Sequence, residues 1–211
     1  MVGFENNLLS DDKQEASSKA VDVYIKKIFE RYAKATELCT LNRKGTAMKT
    51  VPDEVVNEIV RTKLNLAEKE LNTSVLNHRI HMKAENILGD LLEDYLAKTL
   101  SKTSWLCCRS AIIRSVDFCH PSNELVQIKN RNNTENSSSS KIRKGTKIKK
   151  WFRTFASSGK TNWPALYAVF NATKKDEFYY IDGVKITFSE EDFKSFVRDT
   201  LKKNPDLISL E

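Results

Sequence analysis

The chain has 211 residues, 40% of them hydrophobic and 30% charged, which is enough apolar material for one sizeable core under a well-solvated surface. No apolar run approaches the roughly 18 residues of a membrane span, and Met1 to Asp12 lacks the charged-then-apolar pattern of a secretion signal, so a cytoplasmic protein is expected. The net charge of +7 is concentrated: between Leu125 and Trp163 ten basic residues stand against one acid, Glu135, giving that segment +9 and the rest of the chain −2. A faintly acidic body with one strongly basic segment is the electrostatic footprint of a nucleic-acid binder. None of the four cysteines forms a Cys-x-x-Cys pair, so buried reduced thiols are expected rather than zinc ligands.

In chain order, residues 1–16 read as a polar arm and residues 17–80 as a helical N-terminal region. Val21, Tyr24, Ile25, Ile28, Phe29 and Tyr32 recur at helical spacing from Ser17 or Ser18 onward. Pro52 then opens a second helix with Val55, Val56, Ile59, Val60 and Leu64 as its buried stripe. A third helical region starts near Leu66, is expected to break near Asn72-Thr73-Ser74, and is best formed from His81 to Leu100. Residues 81–211 are expected to form an α/β (α+β) core: a mixed sheet flanked by helices, with a reading loop over 130–142 and a C-terminal hairpin and helix. Trp105 to Cys108 and Ala111 to Cys119 have the β-branched and apolar content of strands. Ile148, Trp151, Phe152 and Phe155 predict a helix over 142–157, and Ala165 to Ala172 reads as a buried strand. Asp182-Gly183 marks a tight hairpin, and Ser189 caps a last helix.

The organising stretch runs from Val116 to Arg131, as two short strands around a turn at His120-Pro121-Ser122-Asn123. Side chains alternate along a strand, so Gln127 and Lys129 share a face, and pairing brings Asp117 towards it. An acid, an amide oxygen and a lysine at one place suit a hard cation and a phosphate.

Asp117 on one strand and Gln127-Ile-Lys129 on the next resemble the PD-(D/E)xK nucleases, with Val116 where that motif has proline and Gln127 where it has its second acid. The longer text is more specific: Gly89-Asp-Leu-Leu-Glu93, Trp105-Leu-Cys, Val116-Asp-Phe, Gln127 through Ser140, Ile142-Arg-Lys-Gly-Thr146 and Lys150-Trp-Phe-Arg153. Over roughly residues 80 to 165 it resembles the SinI-type type II restriction endonucleases.

That resemblance implies a homodimeric, magnesium-dependent enzyme cutting double-stranded DNA at a short GC-bounded (GGNCC-like) site. It also implies a cognate DNA methyltransferase as genetic partner and a bacterial cytoplasmic setting. Asp117 is then the primary metal ligand, with Gln127 and a helix acid, Glu93 (or Glu85 or Asp90), completing the set, and Lys129 orients the attacking water. Asn130, Arg131, Asn132, Asn133, Asn136, Ser137, Ser138, Ser139, Ser140, Lys141, Arg143, Lys144, Thr146, Lys147 and Lys150 are expected on DNA, the arginines at guanine and the lysines at phosphates. Alternative readings are another PD-(D/E)xK nuclease, of repair or of a mobile element, and a non-catalytic DNA-binding protein on a degenerate nuclease core.

Overall fold

The computed structural model describes residues 11–45, 52–109, 113–132 and 145–209, with side chains from residue 20 onward. Three helices come first: α1 (Asp11–Glu37), α2 (Glu54–Leu64) and α3 (Glu68–Thr99). The first therefore starts at Asp11, within the stretch read as a loose arm; residues 1–10 lie outside the described residues. The Asp53 side chain caps α2, accepting from Val55 N at 2.8 Å. No break occurs at Asn72-Thr73-Ser74, because all three residues propagate the helix and Thr73 Oγ1 simply donates back to Lys69 O. The expected buried stripe of α2 is a correction: the helix has no buried residue, and Val55, Val56, Ile59 and Leu64 are all exposed.

Four strands form the main sheet in the order β1 (Leu106–Cys107), β2 (Phe118–His120), β3 (Glu124–Arg131) and β4 (Ile148–Thr154). The first three are antiparallel, while β4 runs parallel to β3 with Ile128 beside Trp151 and Gln127 beside Lys150. The helix expected over 142–157 is thus a strand from Ile148 on, and residues 142–144 lie outside the described residues. Ile148, Trp151, Phe152 and Thr154 favour a pleated, half-buried surface, and pairing with β3 decides between two periods that the short segment fits equally.

The opposite correction applies downstream. Residues 165–172, read as a strand, belong largely to α4 (Trp163–Val169), where Pro164 sits in the first turn without disturbing a hydrogen bond. Trp163, Leu166 and Phe170 are its buried face, at spacings of three and four. A second antiparallel sheet follows: β5 (Thr173–Lys175), β6 (Phe178–Ile181) and β7 (Val184–Ile186). Asp182 and Gly183 both take positive φ, +49 and +78°, as a two-residue hairpin turn of this kind requires. Helix α5 (Glu190–Lys203) is capped by Ser189 Oγ, which accepts from Asp192 N at 3.0 Å, and a 3-10 turn closes the chain at Pro205–Ile208.

One face of the main sheet holds the core. Phe118, Val126, Ile128 and Trp151 meet Leu92, Tyr95 and Leu96 of α3, Trp163 and Phe170 of α4, and Phe193 of α5. Trp163 sits between Trp151 (5.3 Å between centroids) and Tyr95 (5.8 Å), which ties strand to both helices. Full burial of such side chains stabilises by about 1.5–3 kcal/mol each before entropy is counted. The segment after α1 is stapled onto this body. Thr40 donates from its N and Oγ1 to Asp94 Oδ2 at 2.7 and 2.6 Å, and Asn204 Nδ2 reaches Thr40 O and Arg43 O. Gly45 lies against the Leu207 carbonyl so closely that any Cβ there would collide with it.

Candidate active site

Strand β2 starts only at Phe118, after Ser115 takes a left-handed turn at φ +61° and buried Val116 anchors the chain. Asp117 therefore occupies the bend just before the ladder. Its N–H donates to Val126 O at 2.8 Å, although Val126 is the register partner of Phe118. Two residues thus address one, the two-against-one arrangement of a bulge, which re-aims the Asp117 side chain. Asp117 Oδ2 accepts from Ile128 N at 2.6 Å, locking the carboxylate onto β3 between Gln127 and Lys129.

On β3 itself, Val126 and Ile128 enter the core, so Gln127 and Lys129 alternate to the opposite face. Gln127 is 2% exposed and engaged within the protein; Lys129 is half-buried. Burial raises the Asp117 carboxyl above the usual range, opposed by the Ile128 N–H and by the charge of Lys129. The strand pair therefore does bring Asp117 and Lys129 within electrostatic reach.

Glu93 joins them from α3. Burial first, then the charge of Asp117, then that of Asp90, push its carboxyl up to about 8, with only Arg109 pulling down. Asp90 is held by Arg43 at 2.6 Å and Glu85 is exposed, so of the three helix acids Glu93 is the one in the electrostatic field of Asp117. The neighbouring Asp94 points elsewhere, into a buried cluster with Thr40 and Arg109. Arg109 is a residue that the sequence pattern did not single out; it follows two cysteines in a stretch without periodicity, and only folding brings it to α3.

Among the described residues no three His, Cys, Asp or Glu side chains group as a metal cage. Two half-buried carboxylates, Asp117 raising the pKa of Glu93, nonetheless fit magnesium, which is commonly held by one or two carboxylates plus substrate phosphates. The four cysteines are free, but only Cys107 is buried as expected, Cys39, Cys108 and Cys119 being half-buried; burial pushes the Cys107 thiol up to about 12.

Arg131 and Arg153 stand near the C-terminal ends of the parallel strands β3 and β4, while Lys147, Lys149 and Lys150 lie before or at the N-terminal end of β4. Asn130 Oδ1 accepts from Arg153 Nε at 3.0 Å, and Arg153 also pairs with Glu190 at 2.6 Å, whose other oxygen accepts from Trp163 Nε1 at 2.8 Å. Asn132 Oδ1 accepts from Ala156 N at 2.8 Å and so braces the turn after β4. Arg131, Arg153, Thr154, Phe155 and Gly159 line an open cleft there of about 380 Å³. Arg131, Thr146 and Lys147 are exposed, and Lys150 shares the face of Gln127. Lys149 is held by Glu124 at 2.6 Å and by Asn171 at 2.9 Å. Asn133, Asn136, Ser137 to Ser140, Lys141, Arg143 and Lys144 lie outside the described residues.

The SinI restriction endonuclease family profile matches residues 9–203. The type II restriction enzyme SinI of Salmonella infantis is 43% identical over 168 residues, which is 77% of this chain and 67% of that enzyme. The type II restriction enzyme Eco47I of Escherichia coli is 43% identical over 179 residues, 82% of this chain and 72% of that enzyme. The α+β core is that of a restriction endonuclease, a site-specific deoxyribonuclease. More particularly, the chain belongs to the SinI restriction endonuclease family. The match reaches well beyond residues 80–165 and takes in the N-terminal helices, which no sequence motif had marked. Among the described residues no helix is long and apolar enough to cross a membrane.

Proposed function

We propose that this type II restriction endonuclease hydrolyses both strands of a short GC-bounded, GGNCC-like DNA site as a magnesium-dependent homodimer in the bacterial cytoplasm. The observation that carries the catalytic reading is the pairing of Asp117 with Glu93, two half-buried acids of which the first raises the second's affinity for protons, while the charge of Lys129 acts on Asp117. Asp117, Glu93 and the amide oxygen of Gln127 would hold the metal. Held there, the ion would supply charge neutralisation at the phosphate and lower the pKa of a bound water. Lys129 faces the same phosphate, orients the attacking water by hydrogen bonding and balances the charge of the pentavalent transition state. Ile128 N–H keeps Asp117 fixed throughout. Gln127 supplies a neutral donor where the wider nuclease motif has an acid, so the ligand set carries two negative charges rather than three.

Around this centre Arg131 and the polar residues through Ser140 would read base edges, Arg143 guanine in particular, while Lys141, Lys144, Thr146, Lys147 and Lys150 would position phosphates. Asn130 and Asn132 support that surface through Arg153 and the Ala156 turn. A methyltransferase gene beside this one would protect host DNA. The direct test is digestion of unmethylated phage DNA with magnesium. Discrete fragments with one shared end sequence are expected, and Asp117→Ala should leave the DNA retarded but uncut. Cleavage that persists in that variant would remove Asp117 from the reaction.

A further inference from the structure

Successive residues of β4 point to opposite faces of the sheet, and the parallel register with β3 fixes which face each one takes. Trp151 pairs with Ile128 and both enter the core. Ile148, Lys150, Phe152 and Thr154 therefore lie on the other face, with Leu125, Gln127, Lys129 and Arg131 of β3. Over these two strands that face carries Lys129, Lys150 and Arg131 and no acid. Lys129 and Lys150 are both half-buried, and withdrawing like charges from water together is costly unless an anion joins them.

The spacing selects the anion. Lys150 is the ladder neighbour of Gln127, about 5 Å away, and one strand spacing plus two residues of rise put it about 8 Å from Lys129. Flexible four-carbon stems on both sides of that gap let the two ammonium groups meet on one tetrahedral group. An acid at position 127 would pair with Lys150 across the ladder; the amide of Gln127 carries no charge to offset it. The two neighbouring lysines are placed differently. Lys149 alternates to the side of Val126 and is held by Glu124 at 2.6 Å and by Asn171 at 2.9 Å. Lys147 is exposed and precedes the strand.

We propose that Lys150 is a second catalytic lysine, which contacts the scissile phosphate together with Lys129 rather than a phosphate beside it. Lys150 keeps its proton throughout, and its contribution is electrostatic: a fixed positive charge where negative charge grows on the phosphate oxygens. The inference rests on the catalytic reading of Asp117 and Lys129 and adds the adjoining strand to that centre.

Single-turnover cleavage of unmethylated phage DNA by the full chain, with enzyme in excess and magnesium present, tests it. Binding to the same DNA in calcium reports affinity alone. Lys150→Gln should slow cleavage at saturating enzyme roughly a hundredfold, with affinity in calcium and the near-ultraviolet spectrum nearly unchanged. Lys147→Gln should do the reverse, losing affinity while cutting at the parental rate once the DNA is saturated. Should Lys150→Gln melt early, Lys150→Met, which keeps the apolar stem, gives the same comparison. A parental rate at saturation in either Lys150 variant, or a loss that more enzyme restores, would make Lys150 a flanking contact and overturn the proposal while Asp117→Ala stays inactive. Cutting that persists in Asp117→Ala would overturn the catalytic reading, and this inference with it.

Discussion

Glu93→Gln is the most informative single change. The ordinary carboxyl value of 4.5 rises to about 8 in the folded protein, so between those limits the folded state holds a proton that the unfolded chain has lost. Stability therefore falls as pH rises through that window, and the full loss is present above about 8. At about 1.4 kcal/mol per unit the shift is worth at most about 5 kcal/mol, and sharing with Asp117 reduces the part owed to Glu93 to a few. Glutamine resembles the protonated acid and does not titrate. Thermal unfolding in EDTA should then give similar midpoints for parent and variant at pH 5. At pH 8.5 the variant should be higher by roughly 5–10 °C. Magnesium should close the gap at pH 8.5 by stabilising the parent, whose ionised carboxylate it binds, and should do little for the variant. An equal difference between the two proteins at both pH values would refute the proton-retaining Glu93 and with it the reading of this acid as a metal ligand.

Three further outcomes are expected. Gln127→Glu adds a third carboxylate to the cluster, so calcium, as a non-cleaving probe in calorimetry, should bind about tenfold tighter or more, while the metal-free protein melts lower at pH 8; unchanged affinity would place Gln127 outside the ligand set. Glu190→Ala removes the partner of Arg153, whose side chain is only 13% exposed, and the acceptor of Trp163 Nε1. That should cost about 3–5 kcal/mol in urea unfolding, and a loss below about 1 kcal/mol would mean that the pair is solvent-relaxed. Lys147→Ala should reduce the slope of log affinity for DNA against log salt by about 1, whereas Lys149→Ala, already neutralised by Glu124, should change it less. Equal slopes for the two variants would contradict their separate roles.

The local chemistry of the chain was legible wherever a signal is carried by neighbours in sequence. The Asp182-Gly183 hairpin, the Ser189 cap and the turn between Phe118 and Leu125 follow from residues within four positions of each other. The same holds for the face shared by Gln127 and Lys129, since alternation along one strand needs no partner. The basic segment after Leu125 is likewise a property of sequence alone.

Tertiary structure decided what pairing and burial control. Ile148 to Thr154 fits a helical and a strand period alike, and only the parallel ladder with β3 makes it a strand, which puts Lys150 beside Gln127. Trp163 to Phe170 is helical because one face is covered by Trp151, Tyr95 and Phe118. Amphipathic spacing announced a buried stripe on α2, but spacing specifies a face, not the surface that covers it, and that face is open. Glu93 could be told from Glu85 and Asp90 only in space, because proximity to Asp117, 24 positions along the chain, and capture of Asp90 by Arg43 are long-range facts. Sequence thus determined which chemical groups the protein has and how they alternate. The fold determined which of them lose water together, and that loss sets the acidity of Glu93 and Asp117.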